Sequence, residues 1–404
     1  MPSTARAPRA LVIGGSLGGL FIANLLQRQG WEVEVFEQSG EALAGRGAGI
    51  ITHPQLFETL TRIGIPIDES FGVGIPGRVT FDRGGATIAT LPLPQNLTTW
   101  GRLYVLLKAA FPAERYHFGF SFRRLAQDTN GVTAHFANGT EACGDLLIGA
   151  DGIRSAVRAQ LAPAAKPLYA GYVAWRGLAD ENAFSPAVHR DLFPNFAFCL
   201  PQHEQMLGYP VAGFGNSTRP GERCYNFVWY RPVEEARGLP QLCTDTAGRR
   251  HDMSIPPPLI RAEVLAEVHR AANDLLSPQF AEVVRHTRQP FFQAIFDLES
   301  SQIAFGRVAL LGDAAFVARP HCGMGVTKAA GDAMTLADLL REMDDDVPAA
   351  LARYQAGRAR FGSAVVNHAR ELGAYLQGST TAEAARHHTP EAVMREIAVT
   401  QDYV

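Results

Sequence analysis

Residues 10–37 read ALVIGGSLGGLFIANLLQRQGWEVEVFE, and the fold follows from this stretch. Ala10 to Ile13 are apolar without alternation, the pattern of a parallel strand buried on both faces. Gly14, Gly15, Ser16, Gly18 and Gly19 form a turn that only small residues allow. Leu20, Ala23, Asn24 and Gln27 recur at helical spacing, and Val33 and Val35 restart a strand that ends on Glu37. Strand, glycine turn, helix, strand and terminal acid make a dinucleotide-binding βαβ unit, its acid 23 residues beyond Gly14.

Each part has a physical job. Gly14 lets the chain turn sharply, and Gly19 lets the helix pack closely on the sheet. Position 16 must be small because a pyrophosphate approaches the backbone there, and a serine satisfies that need where glycine is commoner. The helix N-terminus offers free N–H groups and a partial positive charge to phosphate. Glu37 is placed to accept hydrogen bonds from a ribose hydroxyl.

Working outward, the composition describes an ordinary globular protein. The chain has 404 residues, 47% hydrophobic and 19% charged, enough for two or three domains. A net charge of −3 gives no electrostatic reason to expect nucleic acid or an anionic membrane. No apolar run reaches the roughly 18 residues that span a bilayer. The N-terminal MPSTARAPRA leads straight into the first strand, so no signal peptide is expected. Five scattered cysteines without a CxxC pair point to a reducing cytoplasm, and no metal site is expected.

Two further strands end in glycine and acid. Leu146-Leu147-Ile148-Gly149-Ala150-Asp151-Gly152 precedes a helix expected from about Ile153, and RVALLGDAA at 307–315 precedes one expected over Val326–Arg341. Between them, GYVAWRGL, NFAFCLP and RCYNFVWYRP carry aromatic β character. Tyr225, Phe227 and Trp229 alternate with Asn226, Val228 and Tyr230, as in an antiparallel sheet with one packed face and one face lining something. Shorter signals predict a helix from Pro54 to Gly64, a hairpin over Val79–Leu91, a helix over Leu103–Phe111, and helices over Leu259–Ala271 and Pro278–Arg285. The chain beyond Val347 reads as helical, and Asp344-Asp345-Asp346 as a solvated loop.

GGSLGG at 14–19 with Glu37, GADGIRSAVR at 149–158, and RVALLGDAA at 307–315 followed by Pro320 and GMG at 323–325 occur in one order over residues 10 to 341. With these motifs the chain resembles the single-component FAD-dependent aromatic hydroxylases of the para-hydroxybenzoate hydroxylase fold. AGYVAWRG at 170–177, YNFVWYRPV at 225–233 and RPH at 319–321 make it most similar to the branch that hydroxylates dihydroxypyridines. Phe316 stands where the family's GDAAH has histidine, and Met324 and Thr327 stand where G-Q-G-x-N is common.

The resemblance implies an α/β fold: a FAD-binding Rossmann-like (βαβ) domain, an inserted antiparallel-sheet substrate domain and C-terminal helices. The expected FAD-binding domain comprises 1–75, 101–165 and 300–345. The substrate domain comprises 76–100 and 166–299, and a helical segment covers 346–404. By the same resemblance, Gly14, Ser16, Leu17 and Gly19 cradle the pyrophosphate and Glu37 holds the adenosine ribose. Arg46 and Arg102 approach FAD from the other side, Asp151 serves FAD and NAD(P)H, and Asp313 meets the ribityl or pyrophosphate region. Gly323, Met324 and Gly325 present N–H groups to the flavin ring.

The implied reaction is NAD(P)H-dependent reduction of FAD, capture of O2 as a flavin C4a-hydroperoxide, and hydroxylation of an electron-rich (hydroxy)aromatic or hydroxypyridine ring. It needs a dry cavity and a route for the proton of the ring hydroxyl. Substrate-site candidates are His53, Tyr172, Arg176 and His321. For each a packing or surface role is the alternative, while Trp229, Tyr209 and Cys322 read as core. Homodimer assembly is compatible with these features. The same scaffold also serves oxidases, dehydrogenases and non-catalytic flavoproteins that insert no oxygen.

Overall fold

A computed structural model describes residues 6–43, 49–399, 401 and 403. The βαβ unit forms as its sequence requires. Strand β1 (Arg9–Ile13) pairs in parallel with β2 (Glu32–Glu37), and helix α1 (Leu17–Arg28) crosses between them. The strand Leu146–Gly149 lies on the other side of β1, and Val308–Leu310 lies beyond it, both parallel. Tyr116–Phe118 and Ala304–Phe305 complete the edges of this six-stranded sheet. Ala10–Val12, Leu146–Ile148 and Val308–Leu310 are almost fully buried, which explains their unbroken apolar runs. Removal from water contributes roughly 1.5–3 kcal/mol for each large side chain.

The second sheet has nine strands. Its centre is antiparallel: Phe291–Glu299, Leu168–Asp180, Cys224–Pro232, Gln205–Val211 and Asn195–Cys199. Val73–Phe81 and Thr87–Thr99 extend it as a hairpin, and the short strands Gly49–Ile51 and Phe316–Val317 close its two edges. The alternation in Cys224–Pro232 resolves into two faces. Tyr225, Phe227 and Trp229 pack in a core with the helices Pro186–Leu192, Ala262–Leu275 and Pro278–His286. Val228 and Tyr230 face the other way, toward the nucleotide-binding layer and the long helix Val347–Gly373.

Several boundaries shift for local reasons. The helix expected from Ile153 begins at Ala156, because the Asp151 carboxylate and the Ser155 hydroxyl take its first N–H groups. The helix expected from Leu103 begins at Trp100, capped by the Thr99 hydroxyl on the Arg102 N–H. The helix expected from Leu259 begins at Ala262, after a turn over Pro257–Leu259. Helix Pro54–Ile63 stops at Gly64 as expected. The triple-aspartate run is not merely solvated: Asp345 accepts the Trp31 indole N–H at 3.0 Å, and Asp346 caps the helix Val347–Gly373. Among the described residues no helix is long and apolar enough to cross a membrane.

Candidate cofactor and substrate site

The carboxyl ends of the three central parallel strands open into a cavity of about 820 Å³, roofed by the inner face of the nine-stranded sheet. At one end lies the N-terminus of α1. No side chain caps it, so its first N–H groups are available to an anion. Gly14 has φ +103°, and a Cβ there would lie 2.4 Å from the Ala150 carbonyl oxygen. A Cβ on Gly19 would lie 1.9 Å from the Gly14 carbonyl oxygen, so the helix and the turn touch backbone to backbone. Ser16 and Leu17 line the cavity beside them.

Glu37 is buried and lines the same end. Its carboxylate accepts the Gly15 N–H at 2.9 Å and the Ser39 N–H at 2.8 Å. These bonds fix its orientation and use two of about four lone-pair positions, which leaves acceptors for a ribose. Asp151 accepts the Ala156 and Val157 N–H groups with one oxygen, at 2.7 and 3.2 Å. Its other oxygen is buried without a partner, and burial pushes the carboxyl above its ordinary pKa.

Asp313 sits deep in the cleft with half its side-chain surface open to the cavity. The ammonium of Lys328, wholly buried, lies 3.7 Å from it and 4.0 Å from Asp332. Asp332 in turn accepts the Gly312 N–H at 3.0 Å and Arg358 Nε at 2.7 Å. This charged network anchors the Gly312–Asp313 turn to the helix Gly325–Glu342. The motifs did not point to Lys328 or Asp332; a lysine and an aspartate four residues apart in an alanine-rich helix were the available signal.

The far end is flat and mostly apolar. Gly323 and Gly325 line it, next to the uncapped N-terminus of the helix Gly325–Glu342. Leu207, Tyr209, Val228, Tyr230 and Ile295 form the opposite wall. Arg176 is set among them. Among the described residues no carboxylate lies within 4.0 Å of its guanidinium, and its Nε is buried without a partner. Its positive charge pulls the Tyr209 and Tyr230 phenols down, against a larger upward push from burial.

The remaining expected site residues stand elsewhere. His321 is completely buried and shares a 2.7 Å hydrogen bond with the Tyr172 hydroxyl, behind Tyr230 rather than on the cavity surface. Burial lowers the His321 pKa to about 3. His53 is likewise buried, with Nδ1 2.9 Å from the Thr327 hydroxyl, and burial lowers it to about 4. Both imidazoles are therefore neutral near pH 7. Met324 is buried as the residue before the helix. Arg102 bonds Ser70 at 3.0 Å and does not line the cavity. Arg46 lies outside the described residues.

The donor set fits FAD on three counts: a glycine cradle that a Cβ would fill, unsatisfied N–H groups at two helix ends, and an unpartnered acid oxygen at Asp151. Comparison with known proteins agrees. A family model described as a FAD binding domain matches residues 263–369, and one described as FAD binding domain-like matches 169–297. The 2,6-dihydroxypyridine 3-monooxygenase of Paenarthrobacter nicotinovorans is 32% identical over 370 residues, 91% of each chain. The structure of 2,6-dihydroxypyridine-3-hydroxylase from Arthrobacter nicotinovorans matches with a TM-score of 0.87 at 31% identity, over 94% of this chain and 95% of that one. Klebsiella pneumoniae HpxO complexed with FAD and uric acid matches with a TM-score of 0.78 at 25% identity, over 96% of this chain and 93% of that one. With sequence, fold and cavity in accord, the chain belongs to the single-component FAD-dependent aromatic hydroxylases and is a flavin-dependent monooxygenase.

Proposed function

We propose that the protein uses NAD(P)H and O2 to hydroxylate a small hydroxylated ring bound as its anion, of the hydroxypyridine or phenol class. The observation that carries this reading is Arg176, a cation with no acid beside it among the described residues, on an aromatic and aliphatic wall. A neutral apolar ring gives no return for desolvating a guanidinium, whereas a ring oxyanion compensates that charge. Deprotonation also makes the ring electron-rich, which is the state that attacks an electrophilic oxygen. The likeness to 2,6-dihydroxypyridine 3-hydroxylase, in sequence and in structure, supports the hydroxypyridine choice.

When bound, FAD supplies the two-electron reduction by NAD(P)H and the activation of O2. This chain's residues do the rest. Gly14, Ser16, Leu17 and Gly19 hold the pyrophosphate, Glu37 the ribose, and Asp151 and Asp313 the middle of the cofactor. Met324 and Gly325 offer N–H groups and a helix dipole to negative charge on the cofactor ring, whereas the Gly323 N–H, expected to do the same, is bonded to the Pro320 carbonyl at 2.9 Å. Arg176 orients the substrate oxyanion. Tyr172, His321 and His53 form a dry, neutral layer that sets Tyr230 and the Gly323 loop in place. In this reading segments 1–75, 101–165 and 300–345 form the cofactor body, 76–100 and 166–299 the substrate body, and 346–404 braces both. We also infer a homodimer, resident in the cytoplasm, where its free cysteines stay reduced.

The test is NAD(P)H oxidation in air against a panel of hydroxypyridines and phenols, with peroxide and hydroxylated product measured in the same samples. The reading expects one ring compound to accelerate NAD(P)H loss with a matching yield of product. A rate that no ring compound changes, or peroxide as the sole product, would overturn it.

A further inference from the structure

No glycine motif lies near residues 394–398, yet Ile397 and Ala398 line the ring end of the cavity. We propose that this segment is the end wall of the substrate space, and that Arg78 is the positioning residue that holds it there. Ile397 and Ala398 then set the size of ring admitted and keep water from the reacting end. The inference rests on the cofactor and substrate reading given above.

Arg78 lies in the strand Val73–Phe81, is 1% exposed, and has no carboxylate within 4.0 Å among the described residues. Three of its five hydrogen bonds go to the segment itself. Nη1 donates to the Met394 carbonyl at 3.0 Å and to the Ile397 carbonyl at 2.6 Å. Nη2 donates to the Ala398 carbonyl at 3.2 Å. Gln95 takes Nε and Nη2 through one oxygen, at 2.9 and 2.6 Å, and its own amide reaches the Ala398 carbonyl at 3.4 Å. The guanidinium also rests over the Phe196 ring at 4.6 Å. A buried cation without an acid is a poor device for stability alone. Its three carbonyl contacts instead select one path for the chain after the helix Pro390–Glu396, whose last carbonyls need partners.

That path is strained where it meets the site. Ala398 has φ +57°, a left-handed conformation that is strained for a residue with a Cβ. The Ala398 N–H donates to the His321 carbonyl at 2.8 Å, so both ends of its peptide are fixed. The kink brings Ala398 against the flavin-facing loop: a Cβ built on Gly323 would lie 3.0 Å from the Ala398 Cα and 3.5 Å from His53 Cε1. Strain held by surrounding bonds at a cavity wall is characteristic of positions tied to function. The wall is dry, since Ile397 and Ala398 are each 1% exposed.

The experiment uses the full-length FAD-loaded protein with Ile397→Ala and, separately, Arg78→Met. Two quantities are read: acrylamide quenching of flavin emission, and dissociation constants for ring compounds of increasing size, taken from flavin absorbance. Opening the wall should raise the quenching constant about threefold, because a truncated buried side chain leaves space that neighbours fill only partly. In Ile397→Ala the size preference should move by about tenfold toward a ring with one further substituent, the scale of a methylene-sized pocket change. Variants that retain FAD but keep wild-type quenching and the wild-type size order would overturn the proposal. If Arg78→Met fails to fold, Gln95→Ala, which frees the guanidinium from its side-chain partner, tests the positioning role by the same quenching readout, and wild-type quenching there overturns it, while Ile397→Ala decides the wall. If no ring compound binds the wild-type protein, the substrate reading fails and the quenching result alone decides the wall.

Discussion

Replacing Arg176 with methionine keeps much of the side-chain volume and removes the charge. At roughly 4 Å, in a surrounding with an effective dielectric of about 20, a cation and a ring oxyanion attract by about 4 kcal/mol. Part of that is offset by desolvating the incoming anion. The guanidinium has already lost part of its water, because its Nε is buried without a partner. Hydrogen bonds to charged groups are worth about 1.5–3 kcal/mol in practice, so Arg176→Met should weaken binding of the anionic ring about 10- to 150-fold. The assay is a dissociation constant from the flavin absorbance change, measured across pH. Wild-type affinity should rise as the pH passes upward through the pKa of the ring hydroxyl, and the variant should lose that rise. Arg176→Lys should recover part of it. An unchanged dissociation constant with an unchanged pH profile in Arg176→Met would refute the role.

Three other outcomes follow from the geometry. Gly14→Ala forces a Cβ to within 2.4 Å of the Ala150 carbonyl at φ +103°, so the purified protein should hold FAD at least about tenfold more weakly, read as flavin content after dialysis. His53 and His321 are held down to about 4 and about 3 by burial and take up protons on unfolding. Their stabilising contribution is complete above about pH 6.5 and is lost as the pH falls toward those values, with a slope of up to about 1.4 kcal/mol per pH unit for each. Thermal melts should therefore drop steeply below pH 6.5, and less steeply in His321→Asn. Asp297 is buried between Arg319 at 2.9 Å and Arg370 at 2.8 Å, so Arg319→Met should lower unfolding stability by about 1–3 kcal/mol in denaturant titrations, because one carboxylate oxygen loses its partner while Arg370 still holds the other.

The cofactor end was open to sequence reading because its signals are local. A strand buried on both faces cannot alternate, a phosphate cradle cannot carry a Cβ, and Glu37, Asp151 and Asp313 each close a strand within a few residues of glycine. The ring end was harder for the opposite reason. Alternation in Cys224–Pro232 announces two faces, but only pairing with Leu168–Asp180 and Gln205–Val211 decides that Val228 and Tyr230 turn inward. Tyr172 and His321 were separate substrate-site candidates; the folded chain joins them by a hydrogen bond, yet one layer of packing separates them from the cavity, and no spacing rule measures depth. Arg78 and Ile397 are 319 positions apart and meet through one hydrogen bond, a contact that only the folded chain reveals. The boundary shifts at Ala156 and Trp100 show the same limit on a smaller scale: capping by Ser155 and Thr99 outweighs the apolar pattern.

In the proposed function this cavity directs oxygen from O2 into a bound ring. The most direct measurement is turnover under isotopically heavy O2, with NAD(P)H and the ring compound that best accelerates its oxidation, followed by mass spectrometry of the product. The expected product is a hydroxylated ring carrying one heavy oxygen atom, in yield close to the NAD(P)H consumed. A product whose new oxygen comes from water, or NAD(P)H consumption that ends entirely in peroxide, would contradict it.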